Sequence, residues 1–188
     1  MSGDYGTLYR LFIEPQWVMV ATGDDGARWI TDRKVLFRDY IVNAVFADLP
    51  DGIYELKATK PPKPVNTEMG NLSDLAAMHG SLAGHGYSPI RPPEVPVLYA
   101  YPVKHPALIV TTEDNRLGTV DWLTWQAWHQ YALSFHGFVV PYLSNDGRFV
   151  RFDLHLNAVT EAWAFICGVK VSGLADLLGH LARTGSAS

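Results

Sequence analysis

The sequence predicts an α+β fold: a largely antiparallel sheet of hairpins packed on a central Trp-rich helix, with C-terminal helices and a Pro-rich excursion. Three observations carry that expectation. Short runs rich in Val, Ile and aromatic residues are joined by turns of Asp, Asn and Gly, as antiparallel hairpins require. One stretch, Val120 to Gly137 (VDWLTWQAWHQYALSFHG), holds three tryptophans and has no Lys, Arg, Asp or Glu after Asp121. Seven of the 12 prolines fall between residues 60 and 97.

In chain order, TLYRLFIEP and WVMVATG read as strands, GDDGA as a turn, and RWIT as the return strand. Residues 31–52 (TDRKVLFRDYIVNAVFADLPDG) read as a helix, because Leu36, Tyr40, Ala44 and Ala47, and likewise Phe37, Ile41 and Val45, recur at helical spacing before Pro50 and Gly52. IYELKAT follows as a strand. The segment 60–97 is expected to be extended and outside any central sheet, since proline fixes φ and lacks the amide donor. Within it, NLSDLAAMHGSLAGHG suggests a short helix capped by Ser73.

VLYAYPV and ALIVTTE read as strands, and DNRLG as a turn. The tryptophan stretch is a helix with Asp121 as its N-cap. GFVVPYLSNDGRFVRFDLHLN is a second hairpin, turning at Asp146-Gly147. AVTEAWAFICG (158–168) and GLADLLGHLARTG (173–185) read as helices with a strand, VKV, between them. The segments VMVATGDDGARWI, LIVTTEDNRLGTV and VVPYLSNDGRFVRF share a strand–turn–strand pattern, which either duplication or the general form of a hairpin explains.

A chain of 188 residues with 48% hydrophobic and 12% aromatic content suits one domain, 1–188, with blocks 1–59 and 98–188 joined by 60–97. Such a chain needs neither disulfide nor metal as a staple. The net charge of −4 gives no global pull toward nucleic acid or anionic lipid. The lone Cys167 among apolar neighbours reads as a buried thiol and fits a reducing cytoplasm. The start of the chain lacks the basic and apolar regions of a signal peptide, and no segment reaches the ~18 apolar residues of a membrane span.

On a helical wheel, Gln126, Gln130 and Ser134 cluster on one side of the tryptophan helix. Trp125, Trp128, Ala132 and Phe135 lie opposite, flanked by Trp122, His129 and His136. The apolar arc is about 200° wide, against roughly 100° for a surface helix. Trp122, Trp125, Trp128, His129 and His136 are therefore candidate binding residues, covered by the chain's own core, by a partner, or around a ligand. His129 and His136 are seven apart, about 10 Å along a helix, which is too far for simple chelation.

RFDLHLN places Arg151, Asp153 and His155 on one strand face. Aspartate can orient a neighbouring histidine for acid–base work, although a solvated alternating face explains the pattern equally. The glycine-rich MHGSLAGHGY, with His79 and His85, lacks the lysine of a phosphate-binding P-loop. Lys57, Lys60 and Lys63, with Arg33, Lys34 and Arg38, form a small basic strip interrupted by Asp32, Asp39 and Glu55.

The function expected from these features is a non-enzymatic binding module that acts through an aromatic-rich surface, with a second copy or another protein as partner. A small enzyme or ligand binder centred on Asp153 and His155 is the first alternative. A nucleotide or nucleic-acid binder that stacks bases on Trp and Tyr is the second, which the acidic charge disfavours. No cofactor, no metal and no membrane partner is expected.

Overall fold

The computed structural model describes residues 5–13, 15–23, 26–39, 46, 48–65, 72–91, 98–99, 106–156 and 160–167. The fold is α+β, and every described strand pair is antiparallel.

The first element is a helix, α1 (Tyr5–Arg10), where a strand is expected. Leu8, Leu11 and Phe12 stand at i, i+3 and i+4 and are all buried, so the apolar spacing was helical. β1 (Val18–Thr22) and β2 (Arg28–Thr31) then form the expected hairpin, closing near Gly26 at φ 78°. The chain turns a tight corner at Arg33, φ 72°. Asp32 Oδ1 there accepts the amides of Lys34 and Val35 at 2.8 and 2.6 Å.

Beyond the corner lies β3 (Val35–Asp39), which corrects the helix expected over 31–52. Val35 and Phe37 enter one core while Leu36 enters another. A strand buried on both faces loses its alternation and reads as a continuous apolar run. Residues 40–45 lie outside the described residues.

β4 (Gly52–Lys57) pairs with β1, and β5 (Lys60–Pro64) pairs with β4 as the sheet edge. α2 (Leu72–Ala83) starts before Ser73, so Ser73 sits in its first turn and not at the cap. β6 (Tyr87–Arg91) bridges two parts of the sheet. Its Tyr87–Pro89 half pairs with β10 (Phe138–Ser144), and its Ile90–Arg91 half with β8 (Ala107–Thr112). Pro61, Pro62, Pro64 and Pro89 thus lie in strands, contrary to the expectation that the proline arms stay outside the sheet. They are tolerated because β5 is an edge and β6 changes partner just after Pro89.

β7 (Leu98–Tyr99) and β9 (Leu117–Asp121) both pair with β8. β9 runs directly into the tryptophan helix, α3 (Trp122–Ser134). β10 and β11 (Phe149–Leu156) form the second expected hairpin, with Gly147 at φ 71° in its turn. β12 (Thr160–Cys167) replaces the helix expected over 158–168 and pairs with β11 and β3. Its Ala164 and Ile166 point into the same core as Phe37. The helix expected over 173–185 and the strand before it lie outside the described residues.

The strand order is β5-β4-β1-β2-β3-β12-β11-β10-β6-β8-β7, with β9 added on β8. A large core on one face joins this sheet to α1 and α3. A smaller core on the opposite face, built from Ala21, Trp29 and Leu36, is covered by Leu75 and Leu82 of α2.

Two of the three similar hairpins share their turn chemistry. The Thr112 and Ser144 hydroxyls donate to Asp114 and Asp146, and accept the amides of Arg116 and Arg148. Left-handed residues, Asn115 at φ 61° and Gly147 at φ 71°, precede each arginine. Only the second of the three is followed directly by a helix, since β3 follows the first and β12 is the next described element after the third.

Candidate functional site

α3 is capped as its sequence requires: the Asp121 side chain accepts the Thr124 amide at 2.7 Å. Trp128 is fully buried, and its indole N–H donates to the Leu11 carbonyl at 3.1 Å. Its ring meets Phe37 of β3 edge-on at 4.8 Å. Trp125, also buried, packs against Phe152 of β11. Trp122 is half-buried against the same core. The wide aromatic arc is thus filled by the chain itself, with α1, β3, β9 and β11 on its several sides.

Of the two helix histidines only His129 joins this packing. His129 stacks on Trp125 at 5.0 Å, and its Nδ1 lies 2.9 Å from the Trp125 carbonyl oxygen. His136 is exposed and ends the helix at φ 55°. Its amide donates to Leu133 O and the Gly137 amide to Ala132 O, both at 2.9 Å, which is the paired bonding of a Schellman terminus. His129 thus acts through its ring and His136 through its backbone.

The open surface lies elsewhere, on the face of β10 and β11 that turns away from the large core. Residues directly opposite in an antiparallel pair share a face. Phe138 opposes His155, Val140 opposes Asp153, and Tyr142 opposes Arg151. The intervening residues Leu143, Phe152 and Leu154 enter the large core. Along this face Arg151 is held on three sides. Its guanidinium sits 4.9 Å from the Tyr87 ring centroid and 4.6 Å from that of Tyr142, and it pairs with Asp153 at 2.9 and 3.0 Å. Burial pushes the Tyr87 hydroxyl up to about 12, the Arg151 charge opposing that shift.

Asp153 therefore spends both oxygens on Arg151. His155 turns the other way and stacks on Phe138, centroids 4.7 Å apart and planes 17° apart. Arg151 and Asp153 are brought together, then, while the expected Asp153–His155 pairing gives way to an aromatic one. Phe138 is 59% exposed and His155 is exposed beside it. The same face is covered farther along by α2, whose boundary is marked by Tyr87 and Phe149 packed at the margin of the smaller core.

Phe138, Val140, Tyr142 and Tyr87 were not singled out from sequence. A signal existed for the β10 residues: counting outward from the Asp146-Gly147 turn sets Phe138 opposite His155 and Tyr142 opposite Arg151. Tyr87 is brought in by the long-range β6–β10 pairing, which no local pattern announces.

The remaining candidates disperse. His79 meets Trp29 edge-on at 4.9 Å, whereas His85 lies 3.8 Å from Asp146 at the hairpin tip. Lys57 is paired with Glu55, and Lys60 and Lys63 sit on β5, with β4, β1, β2, β3 and β12 between them and β11. A basic arm and an aromatic face therefore do not form one surface along the sheet. An open hollow of about 420 Å³ lies between residues 49–54 and the edge strand β5. Its polar groups are committed, Tyr54 O–H to the Pro50 carbonyl and Asp51 to Arg28 and Thr22. Among the described residues no group of three or more metal-binding side chains occurs, and no helix is long and apolar enough to cross a membrane.

The fold and this face define an α+β protein with, among the described residues, an aromatic and charged sheet surface that is half-buried along its length and exposed at Phe138 and His155. No family model, curated protein or solved structure matches the chain.

Proposed function

We propose that this chain is a binding module that engages another polypeptide through the open face of β10 and β11. The observation that carries this reading is Phe138, 59% exposed and stacked on an exposed histidine, in a row that continues through Val140 to Tyr142 and its clamped arginine. Aromatic residues and arginine are the side chains most often responsible for binding energy at protein interfaces. Arg151 is already fixed between two rings and a carboxylate, so little side-chain freedom remains to be lost on association.

The commitment of Asp153 to Arg151 supports binding over an Asp153-oriented acid–base pair, since His155 stacks on Phe138 instead. The burial of Trp125 and Trp128 moves the aromatic surface from the helix to the hairpin. A cytoplasmic setting goes with this reading, on the strength of the lone Cys167.

The test is a photo-cross-linking residue, p-benzoyl-phenylalanine, placed at position 138 in the full chain in cells. A control carries it at position 123 on the outer side of α3, where Leu123 is also exposed. A covalent protein adduct from position 138 and none from position 123 is the expected result. Absence of any adduct from position 138 overturns the proposal.

A further inference from the structure

We infer that α2 is an autoinhibitory cover: it occupies part of the sheet face that engages the partner, and the partner binds best when α2 has lifted away. The inference rests on the binding-face reading and concerns its regulation.

The open and the covered ground are one surface. Phe149, Arg151, Asp153 and His155 follow one another along one side of β11. Phe149 packs at the margin of the smaller core beside α2, and His155 stands exposed at the other end. Through β12 the register sets Arg151 in one row with Leu36, and Asp153 in one row with Arg38 and Trp29. Trp29 and Leu36 belong to the core that α2 covers.

The covered ground has the chemistry of an interface. Arg38 lies 5.3 Å from the Trp29 ring centroid, and Arg151 lies over Tyr87 and Tyr142. Tryptophan, tyrosine and arginine dominate binding energy between proteins, whereas interiors are built mainly from aliphatic side chains. α2 rests on this ground as a bound segment does. Leu75, Met78 and Leu82 apply one stripe at helical spacing, His79 meets Trp29 edge-on, and the Leu82 carbonyl accepts the Tyr87 hydroxyl at 2.7 Å.

The attachment of α2 suits a cover. Gly80 weakens the helix from within. Gly84 and Gly86 flank His85 where the chain passes from α2 to β6. Gly86 is the fixed point: its carbonyl accepts the Asn145 amide at 2.8 Å, and the Asn145 side chain fills the place a Cβ would take.

Linkage separates the covered and uncovered states. A partner held by Phe138 and His155 alone binds both alike. One that also needs the covered ground binds in proportion to the fraction of chains with α2 lifted.

The experiment reads the initial rate, in cells, at which benzoyl-phenylalanine at position 138 of the full chain forms its adduct. Leu82→Ala weakens the seat of α2 and should raise the rate of the wild-type adduct at least about tenfold. Gly80→Ala favours the helix at a position where a Cβ meets nothing within 4 Å, and should lower the rate about fourfold. Asp121→Ala loosens the fold at α3 instead and should leave the rate unchanged. A rate that Leu82→Ala fails to raise, that Gly80→Ala fails to lower, or that Asp121→Ala raises as much as Leu82→Ala overturns the inference and leaves the binding-face reading standing. No adduct from position 138 in the wild-type chain removes both.

Discussion

His136 illustrates how a residue that looks functional is accounted for by geometry. It occupies the left-handed position at the end of α3, where a Cβ is sterically unwelcome and glycine is the usual occupant. His136→Gly should therefore raise stability by about 0.5–1 kcal/mol, relief of left-handed strain exceeding the added unfolded-chain entropy. A chemical-denaturation midpoint measures it, and a loss of stability would mean that the imidazole makes a contact stronger than the strain.

Arg28 is the opposite case, a residue that sequence reading placed only in a strand. It is 7% exposed, and it donates to Thr22, to Asp51 and to the carbonyls of Phe46 and Leu49, tying residues 46–51 to the first hairpin. Removing it leaves several acceptors unsatisfied, so Arg28→Ala should cost about 2–3 kcal/mol in the same assay. Burial works to raise the Asp51 carboxyl, but hydrogen bonds from Thr22 and Arg28 and the Arg28 charge outweigh it and hold the group below its ordinary value. The folded state therefore binds this proton less readily than the unfolded one. Its stabilisation is present above the usual aspartate value of about 3.9 and is lost as pH falls through the depressed value. A stability difference between wild type and Asp51→Asn at pH 7 should accordingly shrink in acid.

At the scale of elements, what could be read from the sequence depended on how many faces an element buries. The hairpins β1–β2 and β10–β11 were legible because turn residues set their ends, and in β10–β11 one face stays polar enough to alternate. β3 and β12 were not. Val35, Leu36 and Phe37 are all buried, on alternate sides, and the resulting unbroken apolar run fits a helix as well as a strand. α3 lies between these cases. Its capping aspartate and its ends were legible, and so was its over-wide arc, but not what fills the arc. The filling comes from α1, β3 and β11, up to 117 residues away in the chain. The cap gives the direct test of this element. Asp121→Ala should cost about 1 kcal/mol by leaving the first-turn amide of Thr124 without its acceptor.

Across the whole molecule the two sides of the sheet are unequally held, and that inequality has a measurable outcome. α3 contributes Trp125, Trp128 and Tyr131 to the large core, all buried, whereas among its described side chains α2 anchors through Leu75 and Leu82 with Met78 at the margin. A helix docked through aliphatic contacts on the smaller core should open without the rest of the fold. In native-state hydrogen exchange, the amides of α2 should exchange with a lower free energy and a shallower denaturant slope than those of α3, which should report global unfolding. Leu82→Ala should lower the protection of α2 by about 2–3 kcal/mol and leave that of α3 unchanged. pH should act on the same helix through His79, which packs on Trp29. Burial first, and the Arg38 charge second, push its imidazole below the ordinary value, so the docked helix favours the neutral ring. Its contribution is complete above the ordinary histidine value of about 6.5 and is lost as pH falls through the depressed one. After correction for intrinsic rates, α2 should therefore open more readily at pH 5 than at pH 7.5, and His79→Gln should remove that dependence. Equal exchange free energies in α2 and α3 at both pH values would show instead that the two faces unfold as one unit.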